Sequence, residues 1–274
     1  MIVKAMDISK IAFIGGGAMG EAILAAVLNR GLSNPQAIWV SDAKEERRQH
    51  LKQAYGVSVT EINRDAAAKG DIIILAIKPQ NLPEVMPELS GQIKPSQLIL
   101  SIIAGARIDT LCKGLDHRQV VRVMPNTPAQ IGEGISVWTA TSEVTEPQKE
   151  QAKAILSTMG REIFMADEGY LDIATAVSGS GPAYFFLFVE CLIEAAVRIG
   201  LAEDTAQELV LQTMLGSGQL LRKSGKPPAE LRRMVTSPGG TTATALEQFE
   251  NGNFKELVAK AVAAAYRRSQ ELGK

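Results

Sequence analysis

Lys10-Ile11-Ala12-Phe13-Ile14-Gly15-Gly16-Gly17-Ala18-Met19-Gly20 is the stretch that decides the fold. A short apolar run ends in glycine and passes into good helix formers, Met19 to Arg30, with Gly31 as the stop. Such a run reads as a strand buried on both faces, as in parallel sheets. Residues 15–20 fit G-x-G-x-x-G, a weak pattern alone that gains meaning between a strand and a helix. Gly15 permits the tight turn, Gly17 lets backbone approach a pyrophosphate, and Gly20 lets the helix pack close to the strand. The helix N-terminus then offers N–H groups and a favourable dipole to phosphates. The competing reading is a glycine-rich turn with no ligand.

Outward from this motif the first half alternates. Further strands are expected at Ala37–Ser41, Val57–Thr60, Asp71–Ile77, Leu98–Ile103 and Val120–Val123, with weaker candidates at Ile135–Trp138 and Glu162–Met165. Lys44–Tyr55, ending at Gly56, and Gln148–Met159 read as helices between them. This alternation predicts an α/β fold, a Rossmann-type doubly wound parallel sheet. From Asp167 onward no strand is expected. Helical stretches are punctuated by Gly, Pro and Ser, and Leu209, Val210, Met214 and Leu221 form a stripe over 202–221. The expected division is a dinucleotide-binding domain at 1–165 and an all-helical domain at 166–274, apolar enough to be completed by a second copy.

Composition narrows the function classes. The chain has 274 residues, 46% hydrophobic and 22% charged, material for an ordinary buried core. Lys+Arg number 29 and Asp+Glu 30, a net charge of −1 that argues against a broad nucleic-acid binder. Aromatics at 5% argue against a base-stacking surface. Two cysteines, Cys112 and Cys191, make no disulfide framework and read as buried thiols in apolar segments. Residues 1–10 lack the apolar run of a signal peptide. Ala183–Ile199 is apolar enough to suggest a membrane span, but Glu190, Glu194 and Arg198 share one helical stripe. It is read as a helix buried in protein, at a subunit interface, with one polar edge. A soluble cytoplasmic protein with no membrane, nucleic-acid or metal site is expected.

The choice of dinucleotide stays open at this level. Asp42 lies about 20 residues past the glycines, where an acid would take the ribose diol of NAD. Ser41 precedes it and competes for that position, and Lys44, Arg47 and Arg48 lie just beyond, able to pair with a phosphate or to be solvated helix charges. A nicotinamide cofactor implies hydride transfer. The two histidines, His50 and His117, read as surface residues, and Tyr184 sits in an apolar helix as a core residue or a proton donor. An iminium substrate would arrive already protonated and need positioning more than acid catalysis.

Thr236-Ser237-Pro238-Gly239-Gly240-Thr241-Thr242-Ala243-Thr244-Ala245-Leu246 resembles the C-terminal signature of the pyrroline-5-carboxylate reductase family. Ala76–Gln80 (AIKPQ), Arg122–Pro128 (RVMPNTP) and Ser178–Tyr184 (SGSGPAY) resemble other blocks of that family, in order. The resemblance implies NAD(P)H-dependent reduction of the C=N bond of 1-pyrroline-5-carboxylate to L-proline, the last step of proline biosynthesis. It implies NADP(H) as cofactor, with NAD(H) open, and a homodimer or larger homo-oligomer of intertwined helical domains.

Site residues follow from the resemblance. The substrate carboxylate is expected among Ser237, Gly240, Thr241 and Thr242, where a helix N-terminus suits an anion. Thr242 is implied to hydrogen-bond the ring nitrogen, as the catalytic residue. Glu168 is implied near the substrate, against the plainer reading of a solvated acid. For the cofactor the implied residues are Gly15, Gly17, Ala18, Met19 and Gly20, then Ser41, Asn63, Ala76, Lys78, Pro79, Ala104, Met124 and Asn126. Met234 and Asp42 depart from residues found in some members. Two rivals are a β-hydroxyacid dehydrogenase-like enzyme, whose catalytic lysine is missing from 183–199, and a non-catalytic dinucleotide sensor, which would need no anion nest at Gly239-Gly240.

Overall fold

The computed structural model describes residues 10–273, so the signal-peptide reading lies outside the described residues. In chain order the elements are β1 (Ile11–Ile14), α1 (Ala18–Asn29), β2 (Ile38–Ser41), α2 (Glu45–Tyr55), β3 (Ser58–Thr60), α3 (Asn63–Ala67), β4 (Ile72–Leu75), α4 (Leu82–Leu89), β5 (Leu98–Ser101), α5 (Ile108–Leu115), β6 (Val120–Met124), β7 (Gly134–Ala140), α6 (Glu146–Ser157) and β8 (Gly160–Phe164). Six helices follow: α7 (Gly169–Ala174), α8 (Gly181–Arg198), α9 (Glu203–Ser224), α10 (Pro228–Met234), α11 (Thr241–Asn251) and α12 (Phe254–Leu272).

The strands form one sheet in the order β3-β2-β1-β4-β5-β6-β7-β8. β1 to β6 are parallel, in line with the expected doubly wound sheet. Alternate residues serve opposite faces. Ile11, Phe13, Ile72 and Ile74 pack under α1, α2 and α6, whereas Ala12, Ile14, Ile73 and Leu75 pack under α3, α4 and α5. Both faces are covered, which is why these strands read as unbroken apolar runs. One expectation is modified: β7 runs antiparallel to β6. Residues 125–133 between them carry only a 3₁₀ turn, Thr127–Ile131, too short for the crossover that parallel neighbours require. β8 then pairs parallel with β7 through α6, whose start is fixed by a reciprocal capping box of Thr145 and Gln148.

The described residues divide into two compact units, 10–180 with 265–273, and 181–264. The sheet ends at Phe164, next to the boundary expected at 165/166, while α7 and the end of α12 belong to the sheet's unit. A buried polar knot joins them. Arg122 on β6 donates to Glu168 Oε1 at 2.6 Å and stands 3.9 Å from Asp172 Oδ1, which accepts from the buried Ser269 hydroxyl at 2.8 Å. Arg107 donates to Asp172 Oδ2 at 3.3 Å.

In the second unit α8 packs on α9, and Phe188, Phe249 and Phe254 cluster with ring centroids 5.4–6.4 Å apart. The expected burial of Ala183–Ile199 does not occur within the chain: Phe185, Phe186 and Leu187 are more than 60% exposed. Leu209 and Leu221 of the α9 stripe are exposed as well. Cys191, expected buried, is exposed on α8, and Cys112 is half-buried, its thiol pushed up by burial and by the nearby Asp109. Their apolar neighbours led to the wrong expectation, because on α8 those neighbours are themselves uncovered. Gly169–Arg198 is helical throughout, long and apolar enough by composition to cross a membrane.

Candidate functional site

The strand order reverses between β1 and β4, and a cleft of about 1080 Å³ opens there, beyond the C-terminal ends of β1 to β4. It is lined by Gly15, Gly17, Ala18, Ser41, Asn63, Ala76 and Lys78 from the expected set. The glycines behave as the motif requires. Gly15 has φ +98°, and a Cβ there would sit 2.8 Å from the Ala76 carbonyl oxygen. A Cβ on Gly20 would lie 2.6 Å from the Gly15 carbonyl oxygen. A Cβ on Gly17 would meet nothing within 4 Å, since it points into open space. Gly17 is the N-cap of α1 and supplies no side-chain cap, so first-turn N–H groups stay available to an anion. These features fit the pyrophosphate of a dinucleotide.

Other expected residues stand around this frame rather than on the cleft wall. Met19 is half-buried in the first turn of α1, and Pro79 opens the 3₁₀ turn Pro79–Asn81. Ala104 follows β5 and Met124 ends β6, its methyl group packed against Gly179. Asn126 accepts the Ile135 N–H through Oδ1 at 2.9 Å, which ties the start of β7 to the turn after β6.

Several residues outside the expected site set make contacts that the sequence did not reveal. Asp42 accepts the Gly16 N–H at 2.9 Å and the Lys44 N–H at 2.9 Å. Arg47 donates to the Gly16 carbonyl and to Glu21 Oε2 at 2.6 Å. Glu21 also accepts from Tyr55, and contacts His50 at 2.7 Å. Burial alone would raise the Glu21 pKa, but the hydrogen bonds of Arg47, His50 and Tyr55 outweigh it and hold the carboxyl below its usual range. His50 is thus a surface residue, as expected, but a bonded one. His117, expected at the surface, is buried at 4% exposure, with Nε2 2.7 Å from the Gln97 carbonyl oxygen. A carbonyl can only accept, so Nε2 carries the proton. The polar turn around His117 hid a contact made to a residue 20 positions earlier.

The expected substrate residues fall in two places. Ser237, Gly240, Thr241 and Thr242 lie together in the second unit. The loop turns at Gly239, φ +70°, where Gly240 N–H bonds the Ser237 carbonyl at 3.1 Å. Gly240 is the N-cap of α11 and gives no side-chain cap, so first-turn N–H groups stay available in the turn that carries Thr241 and Thr242. That arrangement can hold a carboxylate. Met234 is exposed at the end of α10. Tyr184 lies in the first turn of α8, exposed rather than in a core. Glu168 lies in the first unit and is no free surface acid: Oε1 accepts from Arg122 and, at 2.8 Å, from the Ile108 N–H at the start of α5.

Known proteins match this chain over both parts. Residues 168–272 fit a family profile described as pyrroline-5-carboxylate reductase dimerisation, and residues 10–105 fit one described as NADP oxidoreductase, coenzyme F420-dependent. A pyrroline-5-carboxylate reductase of Pseudomonas aeruginosa is 42% identical over 97% of this chain and 98% of its own length. One from Synechocystis is 40% identical over 97% and 98%. A solved pyrroline-5-carboxylate reductase of Coxiella burnetii superposes with a TM-score of 0.86 at 36% identity, covering 97% of this chain and 99% of that one. The Plasmodium falciparum enzyme, solved with NADP bound, gives 0.86 at 33% identity, covering 98% and 100%.

Proposed function

The chain belongs to the pyrroline-5-carboxylate reductase family, and from that premise we propose how its residues divide the work. The enzyme is an NAD(P)H-dependent oxidoreductase that reduces the C=N bond of 1-pyrroline-5-carboxylate to L-proline, the last step of proline biosynthesis. NADP(H) bound at the glycine cleft supplies hydride. The N–H groups at the start of α1 hold the pyrophosphate, with Ser41, Asn63, Ala76 and Lys78 along the rest of the cleft. Pro79 follows Lys78 beside the ribose-phosphate, and Ala104, Met124 and Asn126 shape the backbone around the nicotinamide end.

The observation that carries the substrate half is the uncapped N-terminus of α11 with its adjoining hydroxyls. Ser237, Gly240 and Thr241 grip the carboxylate there, and Thr242 hydrogen-bonds the ring nitrogen. An iminium ring needs little acid catalysis, so orientation by this loop is the main contribution of the protein. Glu168 faces Arg122 at 2.6 Å, and that positive charge offsets much of its support for a cationic ring. The loop therefore matters more than Glu168.

The exposed apolar residues of α8 and α9 are covered by a second copy of this chain. The dimerisation profile spans the same helices, and burying a Phe or Leu side chain is worth about 1.5–3 kcal/mol. This accounts for the apolar run without a membrane. The balanced net charge of −1 argues against a broad electrostatic nucleic-acid surface, and two free cysteines suit the reducing cytoplasm. The test is turnover: with NADPH and pyrroline-5-carboxylate, cofactor absorbance falls and proline accumulates mole for mole. Turnover with a β-hydroxy acid in place of the imine would overturn the reading.

A further inference from the structure

The adenosine end of the cleft suggests how this chain distinguishes NADPH from NADH, an inference that rests on the cofactor reading above. In doubly wound folds an acid just past the second strand binds the ribose diol of NAD and repels a 2′-phosphate. Asp42 occupies that position, yet both its oxygens are engaged within the loop, Oδ2 by the Gly16 N–H and Oδ1 by the Lys44 N–H. Gly16 is itself held from its other side, since Arg47 Nε donates to its carbonyl at 2.9 Å. Asp42 thus fastens the glycine loop to the end of β2.

Cations around the same cleft differ in their commitments. Arg47 pairs with Glu21, and Arg48 bonds the Asp42 and Ala43 carbonyls and Glu61. Lys44 and Arg64 also line the cleft, are exposed, and form no ion pair with any described residue. Lys44 follows β2 and Arg64 lies in the first turn of α3, just after β3. β2 and β3 are parallel neighbours with Ser41 opposite Thr60, so the two loops leave the sheet side by side. Between them the Ser41 hydroxyl donates to Asn63 Oδ1 at 2.8 Å.

We infer that Lys44 and Arg64, beside Ser41, clamp a phosphate on the adenosine ribose and so select the 2′-phosphorylated cofactor, while Asp42 braces the glycine loop. Arg64 gives a planar fork for two phosphate oxygens and Lys44 a point charge.

Calorimetric titration of the full chain with 2′,5′-ADP and 5′-AMP, which differ only by the 2′-phosphate, tests this without turnover. The wild type binds 2′,5′-ADP about tenfold tighter or more, as two charge-assisted contacts require. In Lys44→Ala/Arg64→Ala that advantage falls below about threefold, 5′-AMP binding is unchanged, and the thermal midpoint of the exposed-site variant stays at the wild-type value. Asp42→Asn weakens both ligands alike. An undiminished advantage in the double variant overturns the clamp. An advantage that widens in Asp42→Asn, through weaker 5′-AMP binding, makes Asp42 a ribose reader and overturns the brace. Equal wild-type binding of the two overturns the clamp alone, whereas binding of neither overturns the cofactor reading and the clamp with it.

Discussion

Replacing Gly17 with alanine separates cofactor binding from folding. Gly17 has φ −66° and ψ −179°, a conformation open to alanine, and the added methyl would touch nothing within 4 Å. Alanine is a poorer N-cap than glycine by about 0.5 kcal/mol, while stiffening the unfolded chain returns about 0.4–1 kcal/mol. Net stability should stay within about 0.5 kcal/mol of wild type. The methyl occupies the space through which a pyrophosphate approaches the first turn of α1. Losing one hydrogen bond to a charged group costs about 1.5–3 kcal/mol, so NADPH affinity should fall about 10- to 150-fold. Urea unfolding and calorimetric titration of one preparation read both quantities. A Gly17→Ala protein that binds NADPH within about twofold of wild type would refute the placement of the pyrophosphate.

Gly20→Ala should show the reverse. Its Cβ meets backbone at 2.6 Å, so unfolding measurements should show a loss of about 1–3 kcal/mol, offset by about 1 kcal/mol of helix propensity. Arg122→Met removes the charge-assisted bond to Glu168 at 2.6 Å and the cation 3.9 Å from Asp172, which keeps Arg107 and Ser269, and should cost about 1.5–3 kcal/mol in urea unfolding. Burial lowers the His117 pKa, opposed by its bond to Gln97, so the unfolded state binds the proton more tightly. Stability should then be full above the usual histidine value near 6.5 and fall as pH drops toward the folded value, by at most about 1.4 kcal/mol per pH unit, a slope that His117→Asn removes in unfolding titrations. Thr242→Ala should lower kcat/KM about 10- to 150-fold, the worth of about 1.5–3 kcal/mol for one hydrogen bond to a charged ring nitrogen, and leave calorimetric NADPH binding intact.

What was legible in the sequence follows from what is local. Ile11–Ile14 and Ile72–Leu75 announce themselves because both faces of a parallel strand are covered, and the glycine spacing marks the turn between β1 and α1. The direction of β7 was not legible, because it depends on the brevity of the 125–133 connection rather than on the strand's own residues. His117 and Asp42 were misjudged or left undecided for another reason. Their environments come from Gln97 and Gly16, 20 and 26 residues away, and no local pattern reports such contacts. The apolar surface of α8 was legible as a surface to be covered, but the composition that signals burial does not say whether the cover belongs to the same chain. For the substrate loop, Gly239 and Gly240 predict a turn into a helix, whereas the roles of Ser237 and Thr242 came from family resemblance.

The central claim is that an imine ring receives hydride while its carboxylate is held at the start of α11. It is tested most directly with NADPH deuterated at C4 of the nicotinamide and pyrroline-5-carboxylate, by NMR of the product. The account predicts L-proline carrying deuterium on the former C=N carbon, at a rate that falls in Thr242→Ala. Deuterium lost to solvent, or L-proline formed without it, would contradict the account.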